Sequence, residues 1–218
     1  EYKANLRLKE GQGAMDVNAA LNTTTEVSKA DLKIDNLQLH SFLPKDSIYE
    51  LSLSAAANGR GLDVMSYHSF AKLNLSLDQL HYAKYHLSNL DLTGELKGAL
   101  VTAHLTSDNA LLKMTTDAEY NLAHSDPDGK ITIDVTQLDL HELGIMPEPM
   151  KRPLTFNFSA EARQNRVFTH LISGDMKLDL SARSGVNPLI RQSTHFVDVL
   201  MKQIDEKALN HAELRKAL

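Results

Sequence analysis

Up to about residue 183, apolar residues fall at every second position. Leu51, Leu53 and Ala55 form one such series, and Leu73, Leu75 and Leu77 another. Leu90 with Leu92, Ile131 to Val135, Leu154, Phe156 and Phe158, and Met176, Leu178 and Leu180 repeat the pattern, mostly with Ser, Asp, Asn, Lys or Thr between. Side chains alternate across a strand, so this period of two predicts strands with one buried and one wet face, as in antiparallel sheets. Turn formers punctuate the series: Asn58-Gly59-Arg60-Gly61, Gly94, Gly98, Ser107-Asp108-Asn109, Asp126-Pro127-Asp128-Gly129, Ser173-Gly174 and Ser184-Gly185.

In three strands the apolar set changes parity. Leu32 and Ile34 give way to Leu37 and Leu39, Leu75 and Leu77 to Leu80 and Tyr82, and Ile133 and Val135 to Leu138 and Leu140. One face stays apolar through such a change only if a residue bulges out, so bulges are expected near Asn36, Gln79 and Gln137, in a curved sheet. Part of the chain also occurs twice. DLKIDNLQLHSFL from Asp31 matches KITIDVTQLDLHELGI from Lys130, with Leu39-His40 over Leu140-His141 at an offset of 101 residues. LSLSAAAN from Leu51 matches LTFNFSAE from Leu154 at 103. A repeat at near-constant spacing points to stacked units that lean on one another and to an extended surface.

After residue 187 the period changes. Asn187-Pro188 is a helix start, with Asn as cap and Pro at the first helical position. Leu189, Phe196, Val197, Leu200 and Ile204 then recur at helical spacing, an amphipathic stripe that calls for a partner surface such as the sheet. The division expected is a first β unit over 1–128, a partial second over 129–186 and a helical segment over 187–218.

A length of 218 residues, 42% hydrophobic and 23% charged, is that of a folded chain with a sizeable core. A net charge of -5 gives no electrostatic reason to expect nucleic acid. Cysteine is absent, which excludes disulfides and thiolate chemistry. No apolar run is long enough for a spanning helix. The absence of Trp argues against the aromatic girdles of an outer-membrane barrel. The chain opens on Glu1 and is expected to be an internal segment of a longer protein.

Catalytic and metal-binding patterns find little support. His81 and His86 flank two tyrosines, but on one strand they would point to opposite faces, and no ligand spacing accompanies them. Asp126-Pro127-Asp128-Gly129 opens like a calcium loop, yet the position that should hold the closing Glu is Val135, so a turn is expected. No G-x-S-x-G elbow exposes a serine. Neither a cofactor nor a metal is expected, and enzymatic activity is not.

The motif ITIDVTQLDLHELGI, the stretch SGDMKLDLSARSG (Ser173–Gly185) and the segment LIRQSTHFVDVLMKQIDEKALNHAELRKAL resemble the repeat region of AsmA-like envelope proteins. They are most similar to the TamB-type translocation and assembly modules of Bacteroidetes. The resemblance covers most of residues 30–218 and is strongest from 129 onward. It rests on strand texture, with no catalytic letters. It implies a periplasmic segment of an inner-membrane-anchored protein, built as a long curled sheet whose apolar groove shields phospholipid acyl chains in transit. It also implies an outer-membrane barrel of the TamA type as partner of the full-length protein, with membrane contact only through regions outside this segment.

On the residues alone, Leu73, Leu75, Leu77, Leu90, Leu92, Leu154, Phe156, Phe158, Met176, Leu178 and Leu180 are either groove lining or plain core. The alternative function is therefore a structural or adhesive β-repeat module with a closed core that binds protein partners.

Overall fold

A computed structural model describes residues 1–41, 48–61, 63–124, 128–143, 146–163, 166–173 and 176–183. The helical stripe Leu189, Phe196, Val197, Leu200 and Ile204 lies outside the described residues. Among the described residues there are thirteen strands: β1 (Tyr2–Glu10), β2 (Gly13–Asn22), β3 (Val27–Gln38), β4 (Ile48–Arg60), β5 (Phe70–Tyr82), β6 (Tyr85–Leu87), β7 (Leu90–Lys97), β8 (Leu100–Asp108), β9 (Leu112–Asn121), β10 (Gly129–Leu138), β11 (Leu154–Arg163), β12 (Arg166–Ser173) and β13 (Met176–Arg183). A 3₁₀ turn at Leu39–Ser41 follows β3.

The strands make one antiparallel sheet, a meander in which each pairs with its sequence neighbours. The exception is β6, a short hairpin arm on β5, so that β7 also pairs β5. The ladder runs from β1 to β13 and does not close on itself. The mainly β, curved antiparallel sheet expected from the alternation and the parity changes is what the chain adopts, and the structure shows that it is open. β9 and β10 pair along their whole length, so the sheet crosses residue 128 without a break.

All three parity changes are bulges. Asn36 takes a left-handed φ of 46° where Ile34 and Leu37 pair with Leu53 and Leu51. Asp78 is the extra residue of β5, between Leu77 and Gln79, and Thr136 that of β10 against β9. The bulges of β3 and β10 fall at equivalent repeat positions, Ile34–Leu37 and Val135–Leu138. All three sit just beyond one transverse row, which runs Ile34, Leu53, Leu77, Leu90, Ser107, Met114 and Val135. Bulges raise local twist and bend a strand, so their alignment creases the sheet along one line near one end. That end is called the bulged end below.

Gly13 shows why the crease needs particular residues. A Cβ placed there would lie 2.6 Å from the Asn36 carbonyl oxygen and 2.9 Å from the Leu37 Cα, both backbone atoms that cannot swing away. Gly13→Val is expected to cost roughly 1–3 kcal/mol by overpacking. Urea unfolding followed by circular dichroism reads this as a lower midpoint at unchanged slope.

The bulged end also carries the only clustered core among the described residues. Leu140, Met146 and Leu154 are buried together, with Leu138, Leu143 and Met150 around them. The β10–β11 connection folds over β10 to make this cap. The Tyr85 hydroxyl donates to the Leu143 carbonyl at 2.6 Å, tying the β6 arm to it. Asn109 donates to the Ser88 carbonyl at 3.2 Å and Gln137 to that of Ala110 at 2.8 Å, which links the neighbouring loops.

Two local readings are corrected. His81 and His86 do not point to opposite faces: the chain reverses at Ala83 (φ 51°), the two become cross-strand partners, and their rings stack at 4.0 Å. Tyr49 and His40 extend the ring row at 4.9 and 5.0 Å. Gly94 is no turn either. It lies inside β7, opposite Leu73 and Ala103, and the reversal falls at Gly98 with φ 57°. Gly59 likewise belongs to β4, where its missing side chain admits the Phe70 carbonyl.

Candidate functional site

Register decides what the alternation amounts to in three dimensions. Partners across an antiparallel ladder share a face. Starting from Leu6, successive partners are Val17, Leu32, Ala55, Leu75, Leu92, Leu105, Thr116, Ile133, Phe158 and Leu171, a row with one hydroxyl in eleven positions. Eleven of the thirteen described strands thus contribute to the same apolar face. At about 4.8 Å per strand the row runs roughly 50 Å across the sheet. Of the residues expected to line a groove or core, Leu73, Leu75, Leu77, Leu90, Leu92, Leu154, Phe156 and Phe158 all share this face. The backbone register brings Met176, Leu178 and Leu180 opposite Ser173, Leu171 and Thr169, the positions that continue the rows.

These residues differ in burial. Leu154 is core, sealed by the cap at the bulged end. Leu75, Leu77, Leu90 and Leu92 are half-buried, and Leu73 is exposed. Towards β1 exposure rises, with Leu6 57% exposed. Among the described residues, extensive contacts between elements run only between adjacent strands and from β4 to the 3₁₀ turn, so apart from the cap over Leu154 no second layer of described elements lies on the apolar face.

A depression of about 700 Å³ opens on this face over β1 to β8. Its floor is made of small residues: Ala4, Ala19, Ala30 and Ala57 are successive ladder partners, with Ser28 and Gly59 beside them. Tyr2 and Leu21 stand on one side, and Leu73, Leu96 and Val101 on the other. Sequence reasoning missed the floor. The signal was present in NAALN and SAAAN, but alanine carries no strand preference and little apolar weight.

The opposite face is polar and charged. Arg7 pairs with Asp16 across β1–β2, and its hydrogen bond to that carboxylate, followed by the charge attraction, raises the guanidinium pKa. Lys33 is raised in the same way by its bond to Asp35. Both groups are fully exposed, so the pairs keep the face wet without marking a reactive site. His104 Nδ1 lies 2.7 Å from Asp117 Oδ1 in a cavity of about 520 Å³, with Thr93 opposite His104 and Thr132 opposite Asp117. The pair is solvent-exposed on the polar face, the setting of a cross-strand polar pair. Among the described residues no cluster of three or more His, Asp or Glu is arranged to hold a metal ion.

No protein-family model, no curated protein and no solved structure matches this chain.

Proposed function

We propose that this chain is a lipid-shielding segment, whose apolar face takes up phospholipid acyl chains by non-covalent burial. The observation that carries the reading is the apolar face with its depression over β1 to β8, a depression lined by strand residues alone. Contiguous apolar surface that is not covered marks interaction sites on folded proteins, and Tyr2, Leu6, Leu73 and Tyr120 on this face are exposed. Each methylene taken from water contributes about 0.8 kcal/mol, so a tail of about sixteen carbons can gain on the order of 10 kcal/mol with no polar contact. A binding mode of this kind needs no catalytic or coordinating residues.

The resemblance to AsmA-like and TamB-type repeats supports a place for the segment in the periplasm of a Gram-negative envelope. There it would serve lipid transport between membranes and outer-membrane assembly, with a TamA-type barrel as partner of the full-length protein. The curled sheet and the bulges recurring at repeat positions are consistent with that use.

Native mass spectrometry of the 218-residue chain, purified without detergent and then incubated with dipalmitoyl phosphatidylcholine, tests the reading. The expected result is a population of lipid-bound masses that a long-chain fatty acid displaces. A clean apo mass, with no uptake of added lipid, would leave a structural module with a self-covered core as the better account.

A further inference from the structure

The exposed large apolar side chains are not spread evenly. Most lie at the end of the sheet away from the bulges, where β3, β5 and β8 begin. The β4–β5 loop carries Val64, Met65 and Tyr67 there, and Tyr67 is 89% exposed. The loop is braced from within. Met65 N–H donates to Asp63 Oδ1 at 2.9 Å, Ser66 N–H to the Asp63 carbonyl at 3.0 Å, and Ser69 N–H to the Ser66 carbonyl at 3.0 Å. The buried Ser69 then accepts the Gly98 N–H at 2.8 Å, anchoring the loop to the β7–β8 turn. Three apolar side chains are therefore held outward by a hydrogen-bonded frame.

Beside the loop, one row on the polar face departs from the rest. Its successive partners are Val27, Arg60, Phe70, Lys97 and Leu100, an alternation of apolar and cationic side chains across five strands. Val27, Phe70 and Leu100 are all exposed. Arg60 and Lys97 have no ion pair among the described residues, although Glu26 and Asp63 share a loop cavity of about 660 Å³ with Arg60. Tyr2 and Tyr120 mark the same end on the apolar face.

We infer that this end of the sheet docks on the surface of an anionic phospholipid bilayer. Val64, Met65 and Tyr67 enter the boundary between head groups and acyl chains, while Arg60 and Lys97 meet lipid phosphates. Tyrosine suits that boundary because one end of its ring system is apolar and the other wet. Interfacial binding grows with the apolar area inserted and with attraction to anionic lipid. A protein pocket would ask for one compact anchor. A row of cations interleaved with apolar side chains, beside an outward loop, fits a fluid surface whose phosphates adjust to it. The nearby Glu26 and Asp63 oppose the attraction, so the loop supplies most of the binding and the two cations the lipid preference. Membrane contact then belongs to this segment itself as well as to regions outside it. The inference stands apart from acyl uptake, since it uses different residues.

The test is co-sedimentation of the full chain with vesicles of phosphatidylcholine alone, or mixed with phosphatidylglycerol. Binding to the mixed vesicles is expected, weakening as salt rises. Val64→Ser/Met65→Ser/Tyr67→Ser should weaken it by on the order of tenfold or more. Arg60→Gln/Lys97→Gln should remove the preference for phosphatidylglycerol and the salt dependence. Leu75→Asp should keep vesicle binding even where it ends lipid uptake, which separates the two proposals. No sedimentation with either vesicle would overturn the inference and turn attention to a protein partner. So would binding that survives the triple loop substitution, or that Leu75→Asp alone removes. Because Val64, Met65 and Tyr67 are exposed, a native circular dichroism spectrum of the triple variant is expected and excludes misfolding as the cause.

Discussion

Leu75→Asp is expected to abolish acyl-chain uptake by the otherwise folded chain, a loss of at least tenfold in affinity. Leu75 lies in the central strand β5, with Ala55 and Leu92 as its partners, in the middle of the transverse apolar row. It is half-buried, so its carboxylate replacement can reach water by a small rotamer change when no lipid is bound. With a tail in place that escape is closed, and an ionised group against hydrocarbon is costly unless paired. Alternation supplies the control one residue away. Ser76→Asp puts the same charge on the polar face, opposite Ser54 and Asp91, and should leave uptake unchanged. The measurement is titration with a fluorescent fatty acid, with circular dichroism on both variants. Equal loss in the two would mean that charge on either face is disruptive, and would remove the case for a binding face.

The second large effect is on stability. Leu37→Ala should cost roughly 2–5 kcal/mol, the range for deleting a fully buried leucine with partial collapse around it. Leu37 is 2% exposed, sits immediately after the Asn36 bulge and pairs with Leu51. Its Cα also lies against Gly13. The bulge returns it to the apolar face at the crease, opposite Leu51. Leu6→Ala removes the same atoms from β1 at 57% exposure and should cost well under half as much. Set against the 5–15 kcal/mol typical of a domain, the first loss is large. Chemical denaturation of the two variants reads the difference as separated midpoints. Similar midpoints would show that burial on this face is even, contrary to the difference between Leu37 at the bulged end and Leu6 on β1.

That contrast explains which features could be read along the chain. Alternation at Leu73, Leu75 and Leu77 and at Leu154, Phe156 and Phe158 is a property of each strand alone, because side chains of neighbouring residues must point apart. Parity changes are just as local, and they located the bulges within a residue: Asn36 as expected, Asp78 for Gln79, and Thr136 for Gln137. The reversal at Ala83 was not legible, because alanine in a left-handed conformation carries no turn signal. Gly94 misled for the opposite reason, since a glycine can mark a turn or a place on a close-packed face.

The sequence by itself therefore determined the strands, their apolar sides and the bulges, all of which follow from steric rules acting over a few residues. Only the tertiary structure decided that twelve strands join in one open ladder, that their apolar sides merge into a single face, and that Leu154 is sealed while Leu73 is not. Pairing register and exposure depend on residues far apart in the chain. The alanine floor and the apolar end beside Arg60 and Lys97 exist only once those distant residues stand side by side.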